Sequence, residues 1–263
     1  HTRYPDGGSS YLSSAIYASY RQDIGKKSTL NTGIRLTNTA LTAKWVDTTF
    51  ISLPDSDIRI MNTAVTATAG YIFRPNEFWQ INGVLSSGFR SPNIDDIGKV
   101  REKRGDVTVP NVDLQPEFAY NFEAGVLKYF DEKRTYIGLA TYYTLLNNYI
   151  VRAPFEINGS STIIYDGEEA NVVANVNMDN AYVYGGTFNF KAQLSNNWNT
   201  RASLTYTKGV AYDTGDPLSS IPPLFGNMAF NYVRNRIDTG FNIVFNSRKN
   251  AEDYNVSEGI DNI

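Results

Sequence analysis

The chain has 263 residues, no cysteine, a single histidine at position 1, and 24 Lys and Arg against 27 Asp and Glu, for a formal charge of −3. Without Cys there is no disulfide scaffold, thiolate zinc site or cysteine nucleophile, and one imidazole at a chain end leaves nothing for a triad or a His-metal centre. The acidic balance excludes a nucleic-acid binder that works by neutralising phosphates.

Aromatic residues make up 13% of the chain, with 18 Tyr and 14 Phe, which is a β-rich composition. No run approaches the apolar length of a membrane helix, and the mean hydropathy is −0.35, so a helical membrane protein is excluded. A membrane β-barrel is not excluded, because its strands are apolar on one face only. Residues 1–10 carry no signal-peptide pattern, so the chain reads as either cytoplasmic or a processed or internal piece.

Period-two alternation recurs from end to end and predicts strands near 10–21, 28–40, 59–73, 78–89, 118–130, 135–151, 180–194, 197–210, 223–234 and 236–247, with no helix of any length. The pattern is sharpest after Asn197, where Trp198, Ala202, Leu204 and Tyr206 oppose Asn199, Arg201, Ser203 and Thr205. It is weaker in 11–20 and 136–149, where both faces carry bulky groups.

Short turns at Asp23 to Lys27, Pro75 to Glu77, Asp131 to Arg134, Ser195 to Asn197 and Arg234 to Asn235 alternate with long segments at 41–58, 90–117, 152–179 and 211–222. Short links at one end and long links at the other are the pattern of an outer-membrane barrel. Strands of about a dozen residues suit a tilted membrane crossing better than a soluble sandwich. Trp79, Phe89, Tyr129, Phe130, Tyr136, Trp198, Tyr206 and Tyr232 fall near predicted strand ends, as interfacial girdles do; packing in a soluble core is the alternative.

The fourth strand runs into Ser87-Gly88-Phe89-Arg90-Ser91-Pro92-Asn93-Ile94-Asp95-Asp96-Ile97. Later, Val109-Pro110-Asn111-Val112-Asp113-Leu114-Gln115-Pro116-Glu117 leads into Asn121-Phe122-Glu123-Ala124-Gly125. This pairing resembles the signature of TonB-dependent outer-membrane receptors, a "GFRAPN..EL" stretch followed by a long loop, an "NPNLKPE" element and an "N.E.G" strand. Ala181 to Phe188, Ile221 to Asn227 and Tyr142 to Ile150 resemble further strands of that family in order, with Asn148 where an acid is common.

The resemblance implies an all-β fold, a transmembrane antiparallel up-and-down β-barrel, of which this chain would be about ten strands out of roughly 22. Residues 1–263 then read as an internal segment of the barrel domain, its tenth to nineteenth strands, without plug or terminal strands. The family resemblance also implies a Gram-negative outer-membrane location, lipid as a partner, TonB as a partner through the plug region, uptake of a scarce nutrient such as a ferric siderophore, no resident cofactor, and no nucleic acid. Haem receptors of this type usually carry a His between the two signature halves. Residues 90–117 have none, which disfavours haem.

Within the signature, Pro92, Pro110 and Pro116 mark where ladder pairing stops. Gly88, Gly125 and Gly186 mark bulges or close approach. Arg90, Asn93, Asp95, Asp96, Glu117, Asn121 and Glu123 would form a polar network facing the lumen, by structural pairing or by ligand contact. Phe89, Asn111 and Leu114 complete the structural signature. The basic run Lys99, Arg101, Lys103 and Arg104, with Glu102 and Asp106, is either a solvated loop or a patch for an anionic ligand. Asp55 with Asp57, Glu168 with Glu169, and Asp213 with Asp216 are weak calcium candidates without EF-hand spacing. No metal site is expected, nor meaning in the sequons at Asn158 and Asn255.

Two readings compete with a transporter: a soluble all-β binding domain, and a self-contained ten-stranded barrel enzyme, which would need an imidazole that only His1 offers.

Overall fold

The computed structural model describes residues 3–49, 51–130 and 134–255. His1, residues 131–133 of the expected Asp131 to Arg134 link, and Val256 and Ser257 of the second sequon lie outside the described residues.

Ten long strands form one antiparallel meander: β1 (Ser9–Ile24), β2 (Ser28–Lys44), β3 (Asp57–Asn76), β4 (Trp79–Arg90), β7 (Glu117–Phe130), β8 (Thr135–Pro154), β10 (Glu168–Gln193), β11 (Trp198–Ala211), β12 (Phe225–Arg234) and β13 (Ile237–Asn246). Every long strand pairs with its neighbours in chain order, and β1 and β13 each pair on one side only among the described residues. Three short strands, β5 (Arg101–Lys103), β6 (Asp106–Thr108) and β9 (Thr162–Tyr165), lie off this path.

Because side chains alternate across a pleat, the register sorts them into two faces. Leu85 stands opposite Phe122, Phe122 opposite Tyr143, and Tyr143 opposite Tyr184, a continuous apolar row. One residue along, Ser86 faces Asn121 and Asn121 faces Thr144 on the other side of the sheet. The apolar face is uncovered: Ile16 is 72% and Met61 69% exposed. A soluble sandwich would pack these faces together, so this face is built for lipid.

The packed core lies instead where the long connections meet. Trp45, Ile58, Ile97, Val100, Val107, Val109, Leu114 and Val172 are buried together, drawn from the ends of β2 and β3, from the segment between β4 and β7 and from β10. Each such side chain taken from water contributes about 1.5–3 kcal/mol. The long connections therefore hold one another in place at that end of the sheet.

Two of the long connections depart from the expected loops. The segment 90–117 contains a helical turn, α1 (Ile94–Ile97), and the β5–β6 hairpin, so it is neither helix-free nor a plain loop. Likewise β10 begins at Glu168 rather than near 180, and β6 runs parallel to it, with Val107 opposite Val172. Residues 168–178 are rich in Asn and Glu, which read as loop; the asparagines serve instead to bond the neighbouring connections. Pairing between β8 and β10 is interrupted at Asn148, which adopts a left-handed conformation (φ 54°) that Asn tolerates.

Candidate functional site

At the long-connection end of the polar face, Arg90 closes β4 opposite Glu117, the first residue of β7. Its Nε donates to Glu117 Oε1 at 2.6 Å, its Nη2 to Glu117 Oε2 at 3.3 Å, and its Nη1 to Asp96 Oδ2 at 2.7 Å. Pro92 then ends strand geometry, and Asn93 caps the single turn of α1. The Asn93 side chain accepts from the amides of Asp95 and Asp96, while Asp96 Oδ2 accepts from the Asn93 amide at 3.0 Å. One carboxylate thus caps a helical turn and pairs with Arg90.

Glu117 also accepts from the Ile150 amide at 3.0 Å, which ties the start of β7 to β8. Asn175 of β10 donates to the Asp96 carbonyl at 2.9 Å, and Asn111 donates to the Asn175 carbonyl at 2.8 Å. Asn177 donates to the carbonyls of Gln115 and Asn148. The bonds made by Asn111 and Asn175 are partly buried, where an unpaired carbonyl is costly.

The other signature residues divide by role. Pro110 follows Val109, whose amide donates to Val173, and Leu114 is 3% exposed in the loop core. Pro116 immediately precedes β7. Phe89 and Phe118 pair at 6.0 Å on the apolar face. Asn121 accepts from the Thr144 hydroxyl at 2.8 Å, and Glu123 lies along the same polar face opposite Val84. A Cβ on Gly125 would stand 2.8 Å from the Asn82 amide, so a side chain here has to displace that of Asn82. The register is continuous through Gly88, Gly125 and Gly186, so none marks a bulge, and Gly186 lies on the apolar rather than the polar face.

The basic run does not act as one patch. Lys99 is ion-paired to Asp95 at 3.6 Å, and Asp95 also accepts from the Tyr4 hydroxyl at 2.8 Å, a bond that pushes the Tyr4 pKa up. Arg101, Lys103 and Arg104 project from the β5–β6 hairpin, exposed and with no ion pair or hydrogen bond of their side chains among the described residues. The hairpin turns through Arg104 (φ 60°) and Gly105 (φ 81°), and Glu102 caps it by accepting from the Gly105 amide.

Beneath the connections, Arg90, Asp95, Asp96, Lys99 and Glu117 share a recess of about 750 Å³ with Tyr149, Arg152, Asn175 and Asp216. Arg101, Lys103 and Arg104 stand outside it. Arg152 and Asn175 are not legible as site residues because 152–179 reads as an undivided loop, and Tyr149, within the expected strand 135–151, carries no sign of a site role; the Asn171, Asn175, Asn177 spacing, every second or fourth residue, is the available signal. Among the described residues no group of three or more His, Asp or Glu is placed to hold a metal ion.

A one-sided apolar meander with its polar face, signature cluster and packed connections at one end defines an outer-membrane β-barrel. Residues 2–260 match the family described as TonB dependent receptor-like, beta-barrel, and the chain belongs to that family, whose members are transport receptors of the Gram-negative outer membrane. It is 28% identical over 209 residues to hemoglobin and hemoglobin-haptoglobin-binding protein A of Haemophilus influenzae, covering 74% of this chain and 18% of that protein. Its fold is similar to that of the copper transporter OprC, with TM-score 0.71 and 17% identity over 88% of this chain and 34% of that one. It is equally similar to the Serratia marcescens hemophore receptor HasR in complex with HasA and heme, with TM-score 0.71 and 17% identity over 90% and 44%. The chain spans less than half the length of each.

Proposed function

We propose that residues 1–263 are an internal segment of the barrel domain of a TonB-dependent receptor, which takes up a scarce nutrient in the form of a metal complex, with a ferric siderophore as the favoured class. The observation that carries this reading is the recess beside Arg90, Asp96 and Glu117, set in a family whose barrels are transport receptors. Arg101, Lys103 and Arg104, exposed and unpaired beyond the recess, steer an anionic complex toward it. Arg90, Asn93, Asp95, Asp96 and Lys99 line or buttress the wall against which it comes to rest. No bond of the ligand is made or broken. TonB acts through the plug region, and the energy it passes on releases the ligand inward.

The similar proteins named above differ in ligand, hemoglobin, copper and heme among them, and each of these carries a metal. Residues 90–117 offer no imidazole to a haem iron, which favours an oxygen-liganded ferric complex over haem.

The test is uptake of radiolabelled ferric siderophores and of haem by cells in which the whole receptor is the sole route. Uptake of a siderophore that is abolished on deletion of TonB, with surface binding retained, is the expected result. Uptake that ignores TonB, or that occurs with haem alone, overturns the reading.

A further inference from the structure

At the opposite end of the sheet, where the links are short, a lysine stands on the lipid-facing side. Lys128 of β7 lies directly across from Trp79 of β4 and from Ile137 of β8, both on the apolar face. Its ammonium is 4.6 Å from the centre of the Trp79 ring, 5.4 Å from that of Phe78 and 5.6 Å from that of Phe130. The three rings are themselves 38–42% exposed. Phe78 is held in place because its carbonyl accepts from the Tyr129 amide at 2.7 Å, while its own amide donates to Asn76.

Lys128 has no carboxylate partner among the described residues, and ring faces attract its charge without accepting all three of its N–H donors. A lipid-facing ammonium with free donors needs an anionic oxygen at the level of the membrane boundary, which is where aromatic side chains gather. Short turns lie on the periplasmic side of such barrels, so this level is that of the inner-leaflet headgroups. The turns and strand ends of this rim are basic on balance, with Lys26, Lys27, Arg74, Arg234 and Arg236 exposed beside the acids Asp23, Glu77 and Asp238.

We propose that Lys128, framed by Phe78, Trp79 and Phe130, is a binding site for the phosphate of an anionic phospholipid headgroup. The ammonium bonds the phosphate oxygens, and the rings lie against the glycerol and upper acyl chains. This site fixes the height of the barrel in the bilayer and is separate from the recess at the other end.

The test uses the receptor purified from outer membranes in non-ionic detergent, with native mass spectrometry counting bound lipid. Phosphatidylglycerol, an uncharged diacylglycerol and inorganic phosphate are titrated separately. The expected result is retention of phosphatidylglycerol in preference to the other two, with Lys128→Gln weakening the first bound equivalent about fivefold and Lys128→Arg preserving it. Lys128→Met, which suits a lipid-facing position, gives the same loss in a barrel whose heat-modifiable migration confirms folding. Equal phosphatidylglycerol binding by folded Lys128→Met and the parent overturns the proposal, as does inorganic phosphate bound as tightly as the lipid.

Discussion

Arg90 sits between two acids whose side chains are only 14% and 24% exposed, so its removal matters more than the loss of one surface ion pair. Without the guanidinium, Asp96 and Glu117 face each other across the vacated space while still tied to backbone amides. Solvent reaches Arg90 itself, which holds the cost below that of a fully buried pair. Arg90→Met is expected to destabilise the 91–116 connection by about 1–2 kcal/mol, and Glu117→Gln in the same chain to recover part of it. Limited proteolysis of that segment measures both. At Gly125 the reasoning is steric: Gly125→Val drives a side chain into Asn82 and costs about 1–3 kcal/mol, whereas Gly125→Ala with Asn82→Ala is tolerated. Thermal unfolding of the two variants separates them.

Among the elements, the outer half of β10 organises the molecule's long-connection end. Asn175→Ala leaves the Asp96 carbonyl without its donor, at a cost of about 1–3 kcal/mol, and should speed hydrogen exchange through α1 and residues 109–114 while leaving β11–β13 unchanged. A pH effect belongs to the connection after β2. Asp6 accepts from the amides of Val46 and Asp47, and the Val46 bond is the larger cause of its depressed pKa. A carboxyl depressed in the folded state stabilises fully above the ordinary carboxylate range near 4, and that contribution is lost as pH falls through the depressed value. Protection of the Val46 amide against exchange, measured relative to the intrinsic rate at each pH, should therefore fall below about pH 4, and Asp6→Asn should remove that pH dependence.

These same elements show what sequence reading reaches. The ten long strands were legible because alternation in Trp198–Tyr206 or in β7 follows directly from the pleat. The outer half of β10 was not, since its asparagines carry turn-like chemistry and its pairing follows an interruption at Asn148. The helical turn was hidden by its length of four residues, although Asn93 followed by Asp96 is a capping pair. Of the site, Arg90, Asp96 and Glu117 stand within the Ser87 to Ile97 and Val109 to Glu117 motifs. Arg152 and Tyr149 come to it only through the register of β8 with β10, a long-range fact that no local pattern carries.

Taken whole, the molecule inverts the layout of a soluble protein: its apolar side chains face outward along the strands, and its packed core lies among the connections at one end. That inversion underlies the membrane assignment, the placement of the recess and the phospholipid site at Lys128. The chain's lack of cysteine allows a direct test, with single cysteines at positions 61 to 66 carrying a nitroxide spin label in the receptor reconstituted in lipid. Labels at Met61, Thr63 and Val65 should be accessible to oxygen dissolved in the bilayer, and those at Asn62, Ala64 and Thr66 to a polar nickel reagent or to neither. Alternation with a period of two is the predicted result; uniform access of the polar reagent to all six positions would contradict it.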